Sequence, residues 1–273
     1  MMGKSESTSS RHIAGIIPVS KVESDIDLVL HPSALPIANN FYAIQRSIVE
    51  CSYIGCKTIW VVCDESVAPL LKKICGDFVL NLDQHERSKF AKYPKEHRTY
   101  TPVFYVPTSY KNMNKNGIAV SVMEGVYASY SISDKLSKWV VPYRYYVSMP
   151  YGVYYPRDVN LRSKIKSNES VFLSHLGQNA RDNKHIGFSF SGRQFKHCSY
   201  LFKRMNVKED YTLDKVFDDV IMSENSETHN VDYYYDISSW SGYQKMMSDP
   251  LTVDSDWRYC FNNAFKKDER NIV

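Results

Sequence analysis

The groups in this chain able to do acid/base, metal or stacking chemistry are spread thinly, and few are paired by spacing. Three histidines, His31, His175 and His185, could titrate near neutral pH, yet none is followed or preceded by a Ser or Cys in a nucleophile pattern. The run Tyr151-Gly152-Val153-Tyr154-Tyr155-Pro156-Arg157-Asp158 combines aromatics with a guanidinium, a set that can stack a base or a sugar and equally can form a packed lid. Asp218-Asp219 could join a metal site, although two adjacent acids on a short helix read first as a solvated face. Asp236 lies just before Ser238 and Ser239, where a carboxylate accepts the backbone hydrogen bonds of a turn or helix start. The six cysteines show no C-x-x-C spacing and sit mostly in apolar stretches, so they are expected as reduced core residues of a reducing compartment.

Positioning these groups requires strands and helices, and the first half of the chain alternates them. Residues 12–19 form an apolar, β-branched run, and residues 58–63 another, with helical apolar spacing at Phe41, Ile44, Ile48 and Cys51 between them. Asn39 or Asn40 is the expected N-cap of that helix and Gly55 its stop. Two buried strands joined by a helix make the βαβ unit of a parallel sheet. Residues 101–106 and 145–148 read as further strands, and residues 67–75 and 121–136 as helices. In the second half, strands are expected at 171–174, 186–191 and 231–237, with Gly192 as a turn, and helices at 213–220 and 239–247, the latter capped by Ser238 or Ser239. The loop at 20–38 is long for a simple connection, which marks it as a candidate for function, and a second loop is expected at 107–117.

Bulk properties bound the reading. At 273 residues and 43% hydrophobic, the chain can bury a sizeable core. A net charge of +4 without long charge runs makes no demand for nucleic acid. No segment approaches the roughly 18 apolar residues of a membrane span, and the start is polar, so a cytoplasmic protein without a membrane partner is expected. One domain over residues 12–273, behind a flexible stretch at 1–11, is the simplest organisation, and a homo-oligomer stays open. The 21 tyrosines are chiefly expected in half-buried strands.

The order of these pieces resembles the sugar-nucleotide pyrophosphorylases and related nucleotidyltransferases. The similarity rests on Ala14-Gly15-Ile16-Ile17-Pro18, then Leu35-Pro36-Ile37, a helix over residues 42–54, Gly55-Cys56, and Ile59-Trp60-Val61-Val62. Residues 121–129 can be laid on the family's base-recognition helix start, and residues 233–243 on its late strand-to-helix segment, which carries a Mg²⁺-binding Asp. The resemblance implies an α/β fold with a mostly parallel central sheet and helices on both faces, a GT-A-like (Rossmann-like) nucleotidyltransferase. It implies a nucleoside triphosphate and a sugar phosphate as partners, with Mg²⁺ as cofactor. On this chain it places Lys21 and Asp236 in catalytic positions and Asp236 and Asp158 on the metal. Pro18, Ser20, Ser121, Gly125, Tyr151, Gly152 and Arg157 would line the substrates.

The chain departs from the family at three points. Its phosphate loop, Pro18-Val19-Ser20-Lys21-Val22-Glu23, holds no glycine, the stretch His31-Pro32-Ser33-Ala34 lacks the Lys that the family places just before its Leu-x-Pro segment, and the strand end at 146–152 has no acid, the nearest being Asp158. These departures suit a second reading, a non-catalytic nucleotide- or protein-binding descendant of the fold. A third is a glycosyltransferase, for which Asp25-Ile26-Asp27 and Asp254-Ser255-Asp256 have the metal-binding spacing. The divergence, with its many Tyr and Asn residues, hints at a viral or phage origin.

Overall fold

Six consecutive buried residues give β1 (Ile13–Pro18) no solvent face, which requires a central place in a sheet covered on both sides. The computed structural model describes residues 12–19, 31–83, 99–108, 117–137, 140–155, 159–168, 170–204, 213, 217, 226–249 and 265. After β1 come a 3-10 turn, β2 (Pro36–Ala38), β3 (Phe41–Tyr42), α1 (Ala43–Ile54), β4 (Thr58–Cys63), α2 (Ala68–Cys75), β5 (Phe78–Leu80) and β6 (Tyr100–Pro107). Next are α3 (Ile118–Leu136), β7 (Arg144–Val147), β8 (Gly152–Val153), α4 (Val159–Ser167), β9 (Ser170–His175), β10 (Gln178–Asn179) and β11 (Phe188–Ser191). α5 (Gly192–Arg204), β12 (Ser226–Asn230), β13 (Tyr235–Asp236) and α6 (Trp240–Ser248) complete the described elements.

The central sheet runs β10-β9-β11-β7-β1-β4-β6-β5, with β12 also on β9. β1 is parallel to β4 and β7, and β4 to β6, so four strands point their carboxyl ends to one edge. β11 is antiparallel to both β7 and β9, and β5 is antiparallel to β6. This is the mostly parallel α/β sheet expected from the sequence. Helices cover both faces, as neighbouring residues of β1 show. A Cβ on Gly15 would meet Cys51 of α1 at 2.8 Å, while Ile16, pointing the other way, lies 2.8 Å from the Cβ position of Gly125 in α3.

Local chemistry explains where the elements differ from expectation. Asn39 and Asn40 do not cap α1. They form the turn of the β2–β3 hairpin, with Asn40 at φ 54, a left-handed conformation that asparagine tolerates. Gln45 Oε1 instead accepts the Tyr42 N–H at 3.1 Å, and α1 stops at Gly55, φ 86. Gly192 is the first residue of α5 and not a turn, because Ser191 and Gln194 cap each other reciprocally, Ser191 N–H to Gln194 Oε1 at 2.7 Å and Gln194 N–H to Ser191 Oγ at 3.2 Å. Of the strand expected at 231–237 only Tyr235–Asp236 forms, as β13, and the unexpected β12 precedes it, since the ladder with β9 ends at Asn230 and the chain crosses to β8. Ser239 caps α6 as expected, accepting from Gly242 N–H at 3.2 Å. The five described cysteines are buried and form no disulfide, and Cys260 lies outside the described residues. No helix among the described residues is long and apolar enough to cross a membrane.

Candidate functional site

Open parallel sheets offer their ligand crevice at the carboxyl ends of the strands, so the site is built from the segments that leave β1, β4 and β7. β1 ends at Pro18, paired with Val62, and Val19 N–H continues the ladder to the Val62 carbonyl at 2.8 Å. α3 lies tight against these ends because Gly125 carries no side chain where a Cβ would sit 2.8 Å from Ile16 and Val62. Ser121, one turn earlier, is also buried. β7 runs through Ser148 and Met149 into a corner that carries Tyr151 and Gly152, and here a second, two-stranded sheet begins. β13 lies antiparallel to β8, with Asp236 opposite Gly152 and Tyr235 opposite Val153, and Ile237 N–H donates to the Tyr151 carbonyl at 2.9 Å. Gly152 is obligatory there, since a Cβ would fall 1.8 Å from the His185 carbonyl oxygen.

The result is a compact polar group. His185 Nδ1 lies 3.3 Å from both carboxylate oxygens of Asp236. Ser238 donates to Asp236 Oδ1 from its amide at 2.9 Å and from its hydroxyl at 2.6 Å. Tyr234 accepts the His185 N–H on its hydroxyl at 3.1 Å. Burial pulls the Asp236 carboxyl upward, but the His185 hydrogen bond and charge, with the two Ser238 donors, outweigh it and hold the pKa below the ordinary carboxylate value. Asp236 is therefore ionised at neutral pH, and its side chain keeps 37% exposure. The Tyr151 ring packs edge-on to His185 at 5.3 Å and is fully buried, and burial, with the charges of Asp64 and Cys63, raises its phenol far above the usual range. Tyr151 thus forms the floor beneath the crevice.

Of the residues proposed from sequence, Tyr151, Gly152 and Asp236 come together directly, while Pro18, Ser121 and Gly125 line the adjoining β1–α3 floor as buried groups. Ser20, Lys21, Arg157 and Asp158 lie outside the described residues, as do both Asp-x-Asp pairs and Asp218-Asp219. His185 was one of three titratable histidines in the sequence, and only its position in the fold singles it out. His31 accepts the Ser33 N–H at 3.3 Å as a cap, and His175 Nδ1 donates to the Val231 carbonyl at 3.2 Å, so these two serve the backbone. Tyr234 lies in the 233–243 segment matched from sequence but was not singled out as a site residue, because only the fold brings its hydroxyl to the His185 amide.

The resemblance implies Mg²⁺, and the donor set can be tested for it. Among the described residues no three His, Cys, Asp or Glu side chains could hold a metal ion. One ionised and partly exposed carboxylate suits instead a cation that arrives on phosphate oxygens, the usual manner of Mg²⁺.

No family model matches the sequence, and no curated protein matches it. Solved structures do match in shape. One described as a glucose-1-phosphate thymidylyltransferase from Bacillus anthracis superposes with a TM-score of 0.62 at 10% identity, over 92% of this chain and 99% of that one. A UDP-glucose pyrophosphorylase from Acinetobacter baumanii gives 0.53 at 11% identity, over 86% and 91%. A 4-diphosphocytidyl-2C-methyl-D-erythritol synthase from Anaerococcus prevotii gives 0.51 at 12% identity, over 86% and 94%. The chain shares their fold. At these identities the likeness concerns the backbone alone, and the activity has to be argued from the site.

Proposed function

We propose that the chain is a nucleotidyltransferase that moves a nucleotidyl group from a nucleoside triphosphate to a sugar phosphate or a similar acceptor. The observation that supports this most is Asp236: an ionised carboxylate delivered by β13 to the corner after β7, at the strand ends of a fold shared with nucleotidyltransferases. The base would lie over α3 near Ser121 and Gly125, and the triphosphate would run past Pro18, where Ser20 and Lys21 supply a donor and a positive charge. Asp236, with Asp158, would hold Mg²⁺, which when bound offsets charge on the phosphates. An acceptor phosphate oxygen attacks the α-phosphorus in line, the bond from that phosphorus to the bridging oxygen breaks, and pyrophosphate leaves. The protein's contribution is positioning and charge stabilisation. Tyr151, Gly152 and Arg157 would face the acceptor.

The test is thermal stability with each nucleoside triphosphate, with and without Mg²⁺, followed by pyrophosphate release. A ligand at about 100 times its Kd adds about 2.7 kcal/mol, a rise of roughly 5–10 °C at this chain length. The expected result is a Mg²⁺-dependent rise with at least one nucleotide and its loss in Asp236→Ala, with turnover falling on the order of 100-fold. No rise with any nucleotide would sink the reading. A second reading, a nucleotide-binding protein without catalysis, is favoured by the donors that already surround the Asp236 carboxylate. It predicts the stability rise without pyrophosphate release.

A further inference from the structure

Beneath the site lies an ion pair with no exposure at all: Arg46 and Glu50, one turn apart on α1, with Arg46 Nη1 3.3 Å from Glu50 Oε2. Burying both charges costs several kcal/mol before their mutual attraction is counted, and apolar side chains of similar size often do as well or better for stability. What this pair touches suggests why it is there. Arg46 Nη2 donates to the Met149 carbonyl at 2.7 Å, and the guanidinium lies 4.4 Å over the Tyr154 ring. Glu50 accepts from the Tyr146 hydroxyl at 2.8 Å and from the Ser148 hydroxyl. Burial pushes the Tyr146 and Tyr154 phenols well above their ordinary value, so they stay protonated.

These contacts converge on the corner between β7 and β8, which presents Tyr151 to Ile237 and Gly152 to Asp236. They also reach the other half of the site. The Tyr154 hydroxyl accepts the Gly187 N–H at 3.1 Å, two residues after His185, and Gly187 has room for no side chain because its Cβ would lie 2.5 Å from the Tyr146 hydroxyl. One buried network therefore holds both segments that bring His185 and Asp236 to 3.3 Å. We infer that Arg46 and Glu50 are positioning residues, which fix the β7–β8 corner and the start of β11 and so set Asp236 against His185. The structural part stands on these contacts, and its consequence for turnover rests on the function proposed above.

The test is backbone amide hydrogen exchange of the nucleotide-free full chain, comparing wild type, Tyr154→Phe and the double variant Arg46→Met/Glu50→Leu. The reporters are the Gly187, Ile237 and Ser238 amides, with Ile16 and Val61 as controls in the sheet centre. The expected result is exchange roughly tenfold or more faster at the three reporters, with the controls within about twofold. Reporters unchanged in a folded variant, or reporters and controls accelerated together, would overturn the inference by showing either no positioning or a general loss of stability. If the double variant does not fold, Tyr154→Phe, which keeps the ring and removes only the hydroxyl, decides alone. Where the wild type turns over, kcat in Tyr154→Phe should fall roughly tenfold with KM within about threefold, the mark of misplaced groups and not of weakened binding; an unchanged kcat overturns the inference. Since exchange is read without nucleotide, failure of the wild type to bind any nucleotide would reject the proposed function and leave the positioning result intact.

Discussion

Asp236 combines two properties that pull against each other, a partly buried position and a carboxyl pKa below the ordinary value. The donors on His185 and Ser238 reconcile them. A depressed native pKa means that the unfolded chain binds the proton more readily. The stabilisation is therefore complete above the unfolded value, about 3.9, and is lost as pH falls through the lower native value. Urea unfolding of wild type and Asp236→Asn should accordingly differ at pH 5 and converge as pH falls below about 4. A gap that is unchanged at pH 3 would show that the carboxylate is not held by these donors. The same donors bear on the proposed chemistry: a carboxylate fixed by neighbours needs little reorganisation when a charged ligand arrives.

At the scale of elements, three glycines let backbone and helix approach closely enough to make the crevice. Gly125 admits α3 to β1 and β4, Gly152 lets β8 pass the His185 carbonyl, and Gly242 places α6 where a Cβ would fall 1.9 Å from the Asp236 carbonyl. Gly125→Ala should cost about 1–3 kcal/mol in chemical denaturation, because the methyl group meets the side-chain methyls of Ile16 and Val62, which can shift only by disturbing a packed core. Gly152→Ala meets backbone and must displace β8 from His185. It should abolish the nucleotide-dependent stability rise even where the protein still folds, while Gly125→Ala should weaken it less. The reverse order would move the ligand away from the β8–β13 corner and towards α3.

For the molecule as a whole, His12 ties the first strand to both neighbours of its starting end. Its Nδ1 donates to the Val140 carbonyl at 2.6 Å, since a carbonyl only accepts, which leaves Nε2 to accept from the Thr58 hydroxyl at 3.1 Å. Trp60 Nε1 donates to the same hydroxyl at 3.0 Å. Burial lowers the His12 pKa, the Val140 hydrogen bond opposes this, and the charge of Lys57 adds to the lowering. The folded protein thus prefers neutral His12, and the unfolded chain takes up the proton first. Stability should fall as pH drops below about 6.5. A melting-temperature series from pH 8 to 5 should show that decline in wild type and a flatter one in His12→Gln, before the carboxylates begin to titrate.

Much of the sheet was legible in the residues themselves. The apolar runs at 12–19 and 58–63, the helical spacing from Ile44 to Cys51 and the stop at Gly55 are local patterns, and local patterns report burial and period directly. The placement of Asp236 ahead of a capped helix was readable for the same reason, since Ser238 and Ser239 act on groups within a few residues of themselves. β8, with two residues, is too short to carry a period, and α5 was hidden by a glycine at its first position, whose reciprocal Ser191–Gln194 cap matters only once the helix exists. Arg46 and Glu50 carry opposite charges four residues apart, which in sequence reads as a solvated helix face, yet both are fully buried because β7, the corner after it and the Tyr154 ring close over them. The partnership of His185 and Asp236 spans 51 residues. Nothing along the chain encodes it, because it results from the loop that leads into β11 and the strand β13 meeting at one corner, and only the tertiary structure brings those segments together.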